Sequence, residues 1–393
     1  MTTTLQRFGL FCFALGTPLL PSLITLEPLT PAGLSVIPRP IVLGLAIFFG
    51  LLAVLVGPSV LLRLRSPLGG SMAVMMAWWS IAGALGYDPA GSLFILALIG
   101  SVMLGHLVCV QAFREGSGER YFLRPALLGA CLSCAAALLM AWTHRPAALF
   151  ALAHGRAVGT FLHPGELAGY TLMLAPVAFG AARYALMPST RVLGWIAGAL
   201  AVAALALSFS RAAWAAAIVG VAFAAFATGH GKVRIVATGV VLAGALAFWF
   251  VGERHHNPDE DYTRLAAWRA GIRAVEASPL LGSGGATFWR LYPALRPPDG
   301  YPDLVHAHDV LLAVATESGL VGLGAFVALW WRFAALVRGG LVRCGERAHG
   351  MVLAIATGLV ATWVQGAVDL VTVVFVALWF PFMGAALGLL EER

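Results

Sequence analysis

Two arginines and one histidine are the residues of this chain best suited to chemistry at a membrane surface. Arg211 lies inside an otherwise apolar stretch that runs from about Val192 to Thr228, and an arginine at membrane depth is costly unless it has a partner or a water-filled cavity. Arg264 falls on the apolar face of a predicted helix. Both guanidinium groups could hold an anion, and His308 could act as a general base because imidazole titrates near neutral pH.

The apolar stretch around Arg211 is too long to be one membrane span. At 1.5 Å per residue it would reach roughly 55 Å, against a hydrocarbon core of about 30 Å. We therefore expect the chain to turn near Arg211, although the sequence there contains neither Gly nor Pro. The simpler alternative for this arginine is a side chain that snorkels to the lipid headgroups; an anion site is the interpretation we favour.

The helix that carries Arg264 is predicted to run from Tyr262 to Glu276 and to stop at Ser278-Pro279. Its packing face would hold Arg264, Trp268, Gly271, Ile272 and Val275, and its solvated face Arg269, Arg273 and Glu276. Asp259 and Asp261 match the acidic pair of metal-dependent nucleotide-sugar transferases, but acids also favour the positive end of a helix. We predict the helix start and no metal site. The glycine-rich segment 282–285 is predicted to be a turn.

Further ionisable residues surround these three. His308 and Gly319 are eleven residues apart, which places them on one face of a predicted helix, with the glycine letting a second helix approach. Asp309 and Glu317 share that helix, and His306 precedes it. Pro164 and Glu166 suit a helix start just after His163, an account that explains both without a substrate. Other polar residues of the predicted outer loops, Asp88 and Arg156 among them, are expected to be solvated.

The sequence predicts an all-α polytopic membrane protein, with a single integral membrane domain over residues 1–393, whose helices position these residues. The chain is 60% hydrophobic and only 11% charged, with a mean hydropathy of +0.88, outside the range of soluble proteins. A membrane helix needs about 20 apolar residues, and we count about twelve such runs. They are 8–26, 41–61, 67–86, 91–112, 122–143, 165–187, 192–209, 212–228, 233–251, 308–335, 350–366 and 369–390.

One long polar loop, residues 252–306, separates the ninth and tenth runs, and we interpret it as a lid over an active site. Lysine and arginine concentrate in alternate loops, which predicts that both termini are cytoplasmic and that this loop faces outward. The net charge of +7 reflects that orientation and attraction to anionic membrane lipids rather than nucleic acid. The five cysteines imply no disulfide.

The pattern resembles the O-antigen ligase and polymerase superfamily of lipid-linked glycan transferases, which have a GT-C-like architecture. The matching pieces are Ser210-Arg211, Arg264-x3-Trp268, Gly282-x-Gly284 and His308-x10-Gly319 with Glu317-Ser318-Gly319 inside it. Three positions depart from the family pattern: Ala215 ends the Arg-x3-Leu motif, Asp309 stands where Asn often follows the histidine, and His163-Pro164-Gly165 replaces an Asn-Pro-Asn-like stretch. These departures affect the choice of subfamily more than the choice of superfamily.

The resemblance implies an inverting O-antigen ligase in the bacterial inner membrane with a periplasmic active site. It would transfer a preassembled glycan from undecaprenyl diphosphate to a lipid A-core sugar hydroxyl, without metal or cofactor. Arg211 and Arg264 would hold the diphosphate by charge-assisted hydrogen bonds, and His308 would deprotonate the acceptor. The predicted substrate-binding residues are Arg211, Arg264, His306, Trp268, Tyr262, His163, Glu166, Asp309 and Glu317.

Three alternatives remain open at this point. An O-antigen or exopolysaccharide polymerase would use the same donor, and so would a protein O-oligosaccharyltransferase. A transporter or flippase would line a pathway with Arg211, Glu317 and Asp369. Transporters usually contain two similar halves, whereas this chain has no internal repeat and its ionisable residues gather at one predicted surface.

Overall fold

The computed structural model describes residues 2–19, 67–228, 258–298, 300–302, 304–369 and 372–391, together with residues 235, 238, 239, 241 and 244. Within these ranges the fold is helical and contains no strand. Seven helices of the described part are long and apolar enough to cross a membrane. This confirms a helical membrane protein. The predicted total of twelve spans remains a prediction, because runs 41–61 and most of 233–251 lie outside the described residues.

Thirteen α-helices have defined bounds in the described part of the chain. In order they are α1 Thr4–Gly16, α2 Pro67–Leu85, α3 Pro89–Arg114, α4 Arg124–Thr143, α5 Ala147–Leu152, α6 Pro164–Tyr184, α7 Pro188–Leu207, α8 Arg211–Thr228, α9 Pro258–Ala277, α10 Phe288–Leu295, α11 Val310–Leu341, α12 Glu346–Gly366 and α13 Thr372–Leu390. The predicted loop 252–306 thus contains two helices of its own, α9 and α10. Its outward orientation stays a prediction.

Helix α6 lies at the centre of the bundle, packed between α7 and α12, while α3 packs along α13 and α2 along α11. Small residues allow these close approaches. A Cβ added to Gly194 of α7 would lie 2.6 Å from the Ala178 carbonyl oxygen of α6, and one added to Gly358 of α12 would lie 2.8 Å from the Met173 carbonyl oxygen. Backbone contact of this kind is the usual way in which membrane helices associate, since burial from water provides no driving force there.

Helix α11 is broken at Gly319, which has φ 67° and ψ −178°. The turn that follows α9 inserts at the break. Ser283 N–H donates to the Thr316 carbonyl at 2.8 Å, and Gly284 N–H donates to the Glu317 carbonyl at 2.9 Å. A side chain on Gly319 would collide with the Leu280 carbonyl group. The glycine turn was predicted, and it replaces the helical hydrogen bonds that the break removes.

Two predictions about α11 were therefore wrong. His308 does not lie on the helix, because the helix begins at Val310, Asp309 is its N-cap, and His308 has φ 51°. Gly319 does not receive a second helix either; the backbone of the Leu280–Gly284 turn packs there. A glycine in an apolar helix suggests helix packing by default, and nothing local distinguishes it from a left-handed break.

Candidate active site

Arg211 is presented by the turn between α7 and α8, at the position where the apolar stretch was expected to turn. Helix α7 ends at Leu207 and α8 begins at Arg211 itself. Phe209 has φ 47°, so a non-glycine residue supplies the left-handed step of the turn. One guanidinium nitrogen of Arg211, Nη2, lies 2.9 Å from Oδ1 and 3.1 Å from Oδ2 of Asp261. Arg211 is therefore ion-paired to α9.

Arg264 lies one turn further along α9 and shares the same partner. Its Nη1 is 3.2 Å from Asp261 Oδ1, and its Nη2 is 3.7 Å from Glu260 Oε2 and 3.8 Å from Asp369 Oδ2. Helix α9 starts at Pro258, four residues before the prediction, and ends at Ala277, next to the predicted stop. The acids Asp259, Glu260 and Asp261 occupy its first turn as predicted, but two of them also hold arginines.

His308 contacts Asp369 and the packing face of α9. Its Nδ1 lies 3.3 Å from Asp369 Oδ1, and Trp268 Nε1–H donates to the His308 carbonyl at 3.4 Å. The His306 ring is 4.3 Å away, centroid to centroid. Arg264 and His308 thus meet at the two oxygens of one carboxylate, and Arg264 and Arg211 meet at another. The three residues predicted to be catalytic form one cluster with Asp261 and Asp369.

Two members of this cluster, Asp261 and Asp369, were not among the predicted site residues, and the less exposed of the two is Asp369. It lies in the connection between α12 and α13, where its N–H donates to the Gln365 carbonyl at 2.8 Å, and its side chain is 15% exposed. Burial alone would raise the pKa of this carboxyl. The His308 hydrogen bond and the Arg264 charge outweigh burial and lower the Asp369 pKa. The available signal was a lone carboxylate between two apolar runs.

His306 and His163 lie beside the cluster. Burial lowers the pKa of His306 to about 3, helped by the neighbouring His308 and His163 and opposed by Asp369. His163 is the N-cap of α6, and Glu166 accepts hydrogen bonds from the Leu162 and His163 backbone at 3.0 and 3.4 Å. The predicted helix start is confirmed. A direct substrate role for His163, Glu166 or His306 remains a prediction.

Three other predicted binding residues have different positions. Glu317 accepts a hydrogen bond from the Ala286 backbone, so its described contact is with the inserted turn rather than with His308. Asp309 caps α11 through the Leu312 N–H at 2.7 Å. Tyr262 is an exposed residue of the first turns of α9. None of these contacts tests a role in substrate binding.

A groove of about 460 Å³ runs between α9 and α11 next to the cluster. It begins at Trp268 and Asp309, the neighbours of His308, and is otherwise mostly aliphatic. Its remaining lining residues are Ile272, Val275, Glu276, Leu311, Leu312, Ala315, Leu320 and Leu323. Such a surface fits a hydrocarbon chain better than a sugar. Among the described residues, no three His, Cys, Asp or Glu side chains are grouped to hold a metal ion.

Two outer-loop residues that were expected to be solvated are paired instead. Arg156 donates from Nη2 to Glu260 Oε1 at 2.6 Å. Asp88 caps α3 and accepts from Arg290 Nη2 at 2.9 Å. Both pairs join segments that are distant in sequence, which explains why a local interpretation missed them.

The fold and the cluster define a helical membrane protein with cationic and basic groups gathered at one end of its bundle. A family model described as O-antigen ligase matches residues 196–327, a segment that contains Arg211, Arg264 and His308. The match supports membership of the O-antigen ligase family, as the resemblance predicted. Members of this family are glycosyltransferase-like enzymes of lipopolysaccharide and glycan biosynthesis. A search among curated proteins finds no match to this chain.

Proposed function

We propose that this protein is an O-antigen ligase of the bacterial inner membrane. It transfers a preassembled glycan from undecaprenyl diphosphate to a sugar hydroxyl of lipid A-core, at the periplasmic surface and with inversion. One observation carries the proposal: Asp261 and Asp369 join Arg211, Arg264 and His308, from three separate segments, into a single cluster. Two guanidinium groups that can share one carboxylate can also share a diphosphate.

In this reaction His308 removes the proton from the acceptor hydroxyl while the oxygen attacks the anomeric carbon of the donor. The bond between that carbon and the diphosphate oxygen breaks, and undecaprenyl diphosphate leaves with the electron pair. Arg211 and Arg264 stabilise the negative charge that develops on the leaving group. Direct displacement inverts the anomeric centre and requires neither metal nor cofactor.

Asp369 fixes His308 in the tautomer that this role requires. With the proton on Nδ1 donated to Asp369 Oδ1, Nε2 is left as the base. The arrangement resembles the carboxylate–imidazole pair of other enzymes that activate a hydroxyl group. Asp369 also contacts Arg264, so a single carboxylate sets the position of both the base and one anion-binding group.

The groove between α9 and α11 supports a lipid-borne substrate. It begins at Trp268, directly beside His308, and continues along the aliphatic side of α9. We propose that it takes hydrocarbon of a substrate whose polar head lies at the cluster. The two carboxylates on its wall, Glu276 and Asp309, disfavour a phosphate group inside the groove.

The test is glycan transfer in cells that carry a chromosomal deletion and a plasmid-borne variant. Arg211→Ala, Arg264→Ala and His308→Ala should each remove glycan from lipopolysaccharide while long lipid-linked chains accumulate. Arg269→Ala, on the exposed side of the same helix as Arg264, is the matched control and should transfer normally. Normal transfer by all three site variants at wild-type protein levels would disprove the proposal.

The same cells separate the alternatives. Shortened lipid-linked glycans would indicate a polymerase, and loss of glycan from protein would indicate a protein O-oligosaccharyltransferase. Purified protein in detergent, given lipid-linked donor and lipid A-core, should form product if it is an enzyme. A transporter would form none.

A further inference from the structure

Arg156 lies outside the predicted site yet is part of the same ionic network. It is located in the connection between α5 and α6, where its Nε donates to the Ala153 carbonyl at 3.2 Å. Its Nη2 lies 2.6 Å from Glu260 Oε1, and the two side chains are only 15% and 31% exposed. The next residue, Ala157, donates its N–H to the Leu207 carbonyl at 3.1 Å. Arg156 is therefore held next to the α7–α8 turn that presents Arg211.

Glu260 divides its two oxygens between two arginines. Oε1 contacts Arg156, while Oε2 is 3.7 Å from Arg264 Nη2, longer than a hydrogen bond. Glu260 and Arg264 are four residues apart on α9, a spacing at which a carboxylate and a guanidinium can close into a direct pair. The short contact with Arg156 holds the Glu260 carboxylate away from that closure.

We propose that Arg156 is a positioning residue that keeps Arg264 available to the diphosphate of the donor. Without Arg156, the Glu260 carboxylate closes onto Arg264 and competes with the diphosphate for the same guanidinium hydrogens. This inference rests on the proposed function, since it concerns the anion site of that reaction. Arg156 itself does not need to touch the substrate.

A purely architectural role for Arg156 makes a different prediction. If Arg156 only fastens α9 to the α5–α6 connection, then removing either partner breaks the same link, and removing both does no less damage than removing one. If Arg156 restrains a competing carboxylate, then removing that carboxylate as well restores the site. The two accounts differ in the binding of the double variant, which stays impaired under the first and recovers under the second, and in Glu260→Gln alone, which is impaired only under the first.

The experiment measures binding of undecaprenyl diphosphate to the purified full-length protein in lipid nanodiscs, with undecaprenol as the ligand that lacks the diphosphate. Arg156→Gln should weaken undecaprenyl diphosphate binding about tenfold, the size typical of coupling within one ion-pair network, and leave undecaprenol binding unchanged. The double variant Arg156→Gln/Glu260→Gln should return to within about twofold of wild type. Glu260→Gln alone should bind at least as tightly as wild type.

Two controls keep the result interpretable. Arg145→Gln removes an exposed arginine from the segment before α5 and should bind as wild type does. Arg156→Lys keeps the charge opposite Glu260 but loses the Nε donor to Ala153, so it should bind between wild type and Arg156→Gln. If Arg156→Gln does not accumulate, Glu260→Gln carries the test, because binding weaker than wild type in that variant would contradict the proposal.

The double variant decides the matter. Binding as weak as in Arg156→Gln alone would overturn the positioning role while leaving the proposed function intact. A wild-type protein that did not distinguish undecaprenyl diphosphate from undecaprenol would instead count against the proposed function. In glycan transfer, the positioning role further expects Arg156→Gln to raise the KM for the donor more than it lowers kcat.

Discussion

Substituting Asp369 by Asn tests how the cluster orients its base. Asp369 Oδ1 lies 3.3 Å from His308 Nδ1, Oδ2 lies 3.8 Å from Arg264 Nη2, and the side chain is 15% exposed. Asn has nearly the same shape and keeps one oxygen acceptor, but it carries no charge. The substitution therefore removes the electrostatic part of the contact while leaving its geometry largely in place.

The expected loss follows from the difference between charged and neutral hydrogen bonds. A hydrogen bond to a charged group contributes about 1.5–3 kcal/mol and a neutral one about 0.5–1.5 kcal/mol. The difference of about 1–2 kcal/mol corresponds to a fall in transfer rate of roughly 5- to 30-fold. Asp369→Ala also loses the acceptor that fixes the His308 tautomer, so its loss should be larger, about 100-fold or more.

The assay is glycan transfer by purified protein at saturating donor, with kcat and KM determined separately. Because Asp369 acts on the base, both variants should lower kcat more than they raise the KM for the donor. Glu391→Gln is the control, since Glu391 pairs with Arg114 at the other end of α13 and both side chains are well exposed. Wild-type kcat in Asp369→Ala, with the protein folded, would refute the orienting role.

Two further predictions concern stability. Gly319→Ala forces a side chain onto a residue with φ 67° and against the Leu280 carbonyl. It should therefore lower the free energy of unfolding by about 2–4 kcal/mol, which would show as loss of folded protein in gel filtration. Gly324→Ala, in open space on the same helix, should not change stability. The His306 pKa of about 3 in the folded protein lies below the value near 6.5 of an unfolded chain. Between these two pH values the unfolded state binds a proton at His306 that the folded state does not. The free energy of unfolding therefore falls as the pH drops through this range, by up to about 1.4 kcal/mol per pH unit. His306→Gln should therefore show a shallower decline in apparent Tm between pH 7 and pH 4, and an unchanged slope would contradict the burial of this ring.

Local chemistry predicted the elements that carry the site. Pro164 with Glu166 marked the start of α6, the acids before Tyr262 marked the start of α9, and the length of the apolar stretch required a turn at Arg211. Each of these depends on contacts within a few residues, or on the thickness of a bilayer. Constraints of this kind can be identified from the sequence alone.

The contacts that complete the site connect distant segments. Asp369 lies 61 residues from His308, and Glu260 lies 104 residues from Arg156. The helix dipole is a sufficient local reason for a carboxylate at a helix end. The sequence therefore gives no sign that the same carboxylate has a second partner far away in the chain. The break at Gly319 was missed for a similar reason, since its cause is a turn that precedes it by more than thirty residues.

The two bridging carboxylates differ in exposure, and this difference assigns them different tasks. Asp261 holds both Arg211 and Arg264, and its side chain is 47% exposed, so solvent screens its ion pairs and replacing it by another anion costs little. Asp369 is far less exposed, so solvent screens its contact with His308 less, and removing it would take away the carboxylate that orients the His308 ring. We therefore expect the diphosphate to take the place of Asp261 on the two arginines, while Asp369 stays with His308. In that arrangement the anion-binding groups exchange one partner for another, and the base keeps its orientation throughout the reaction.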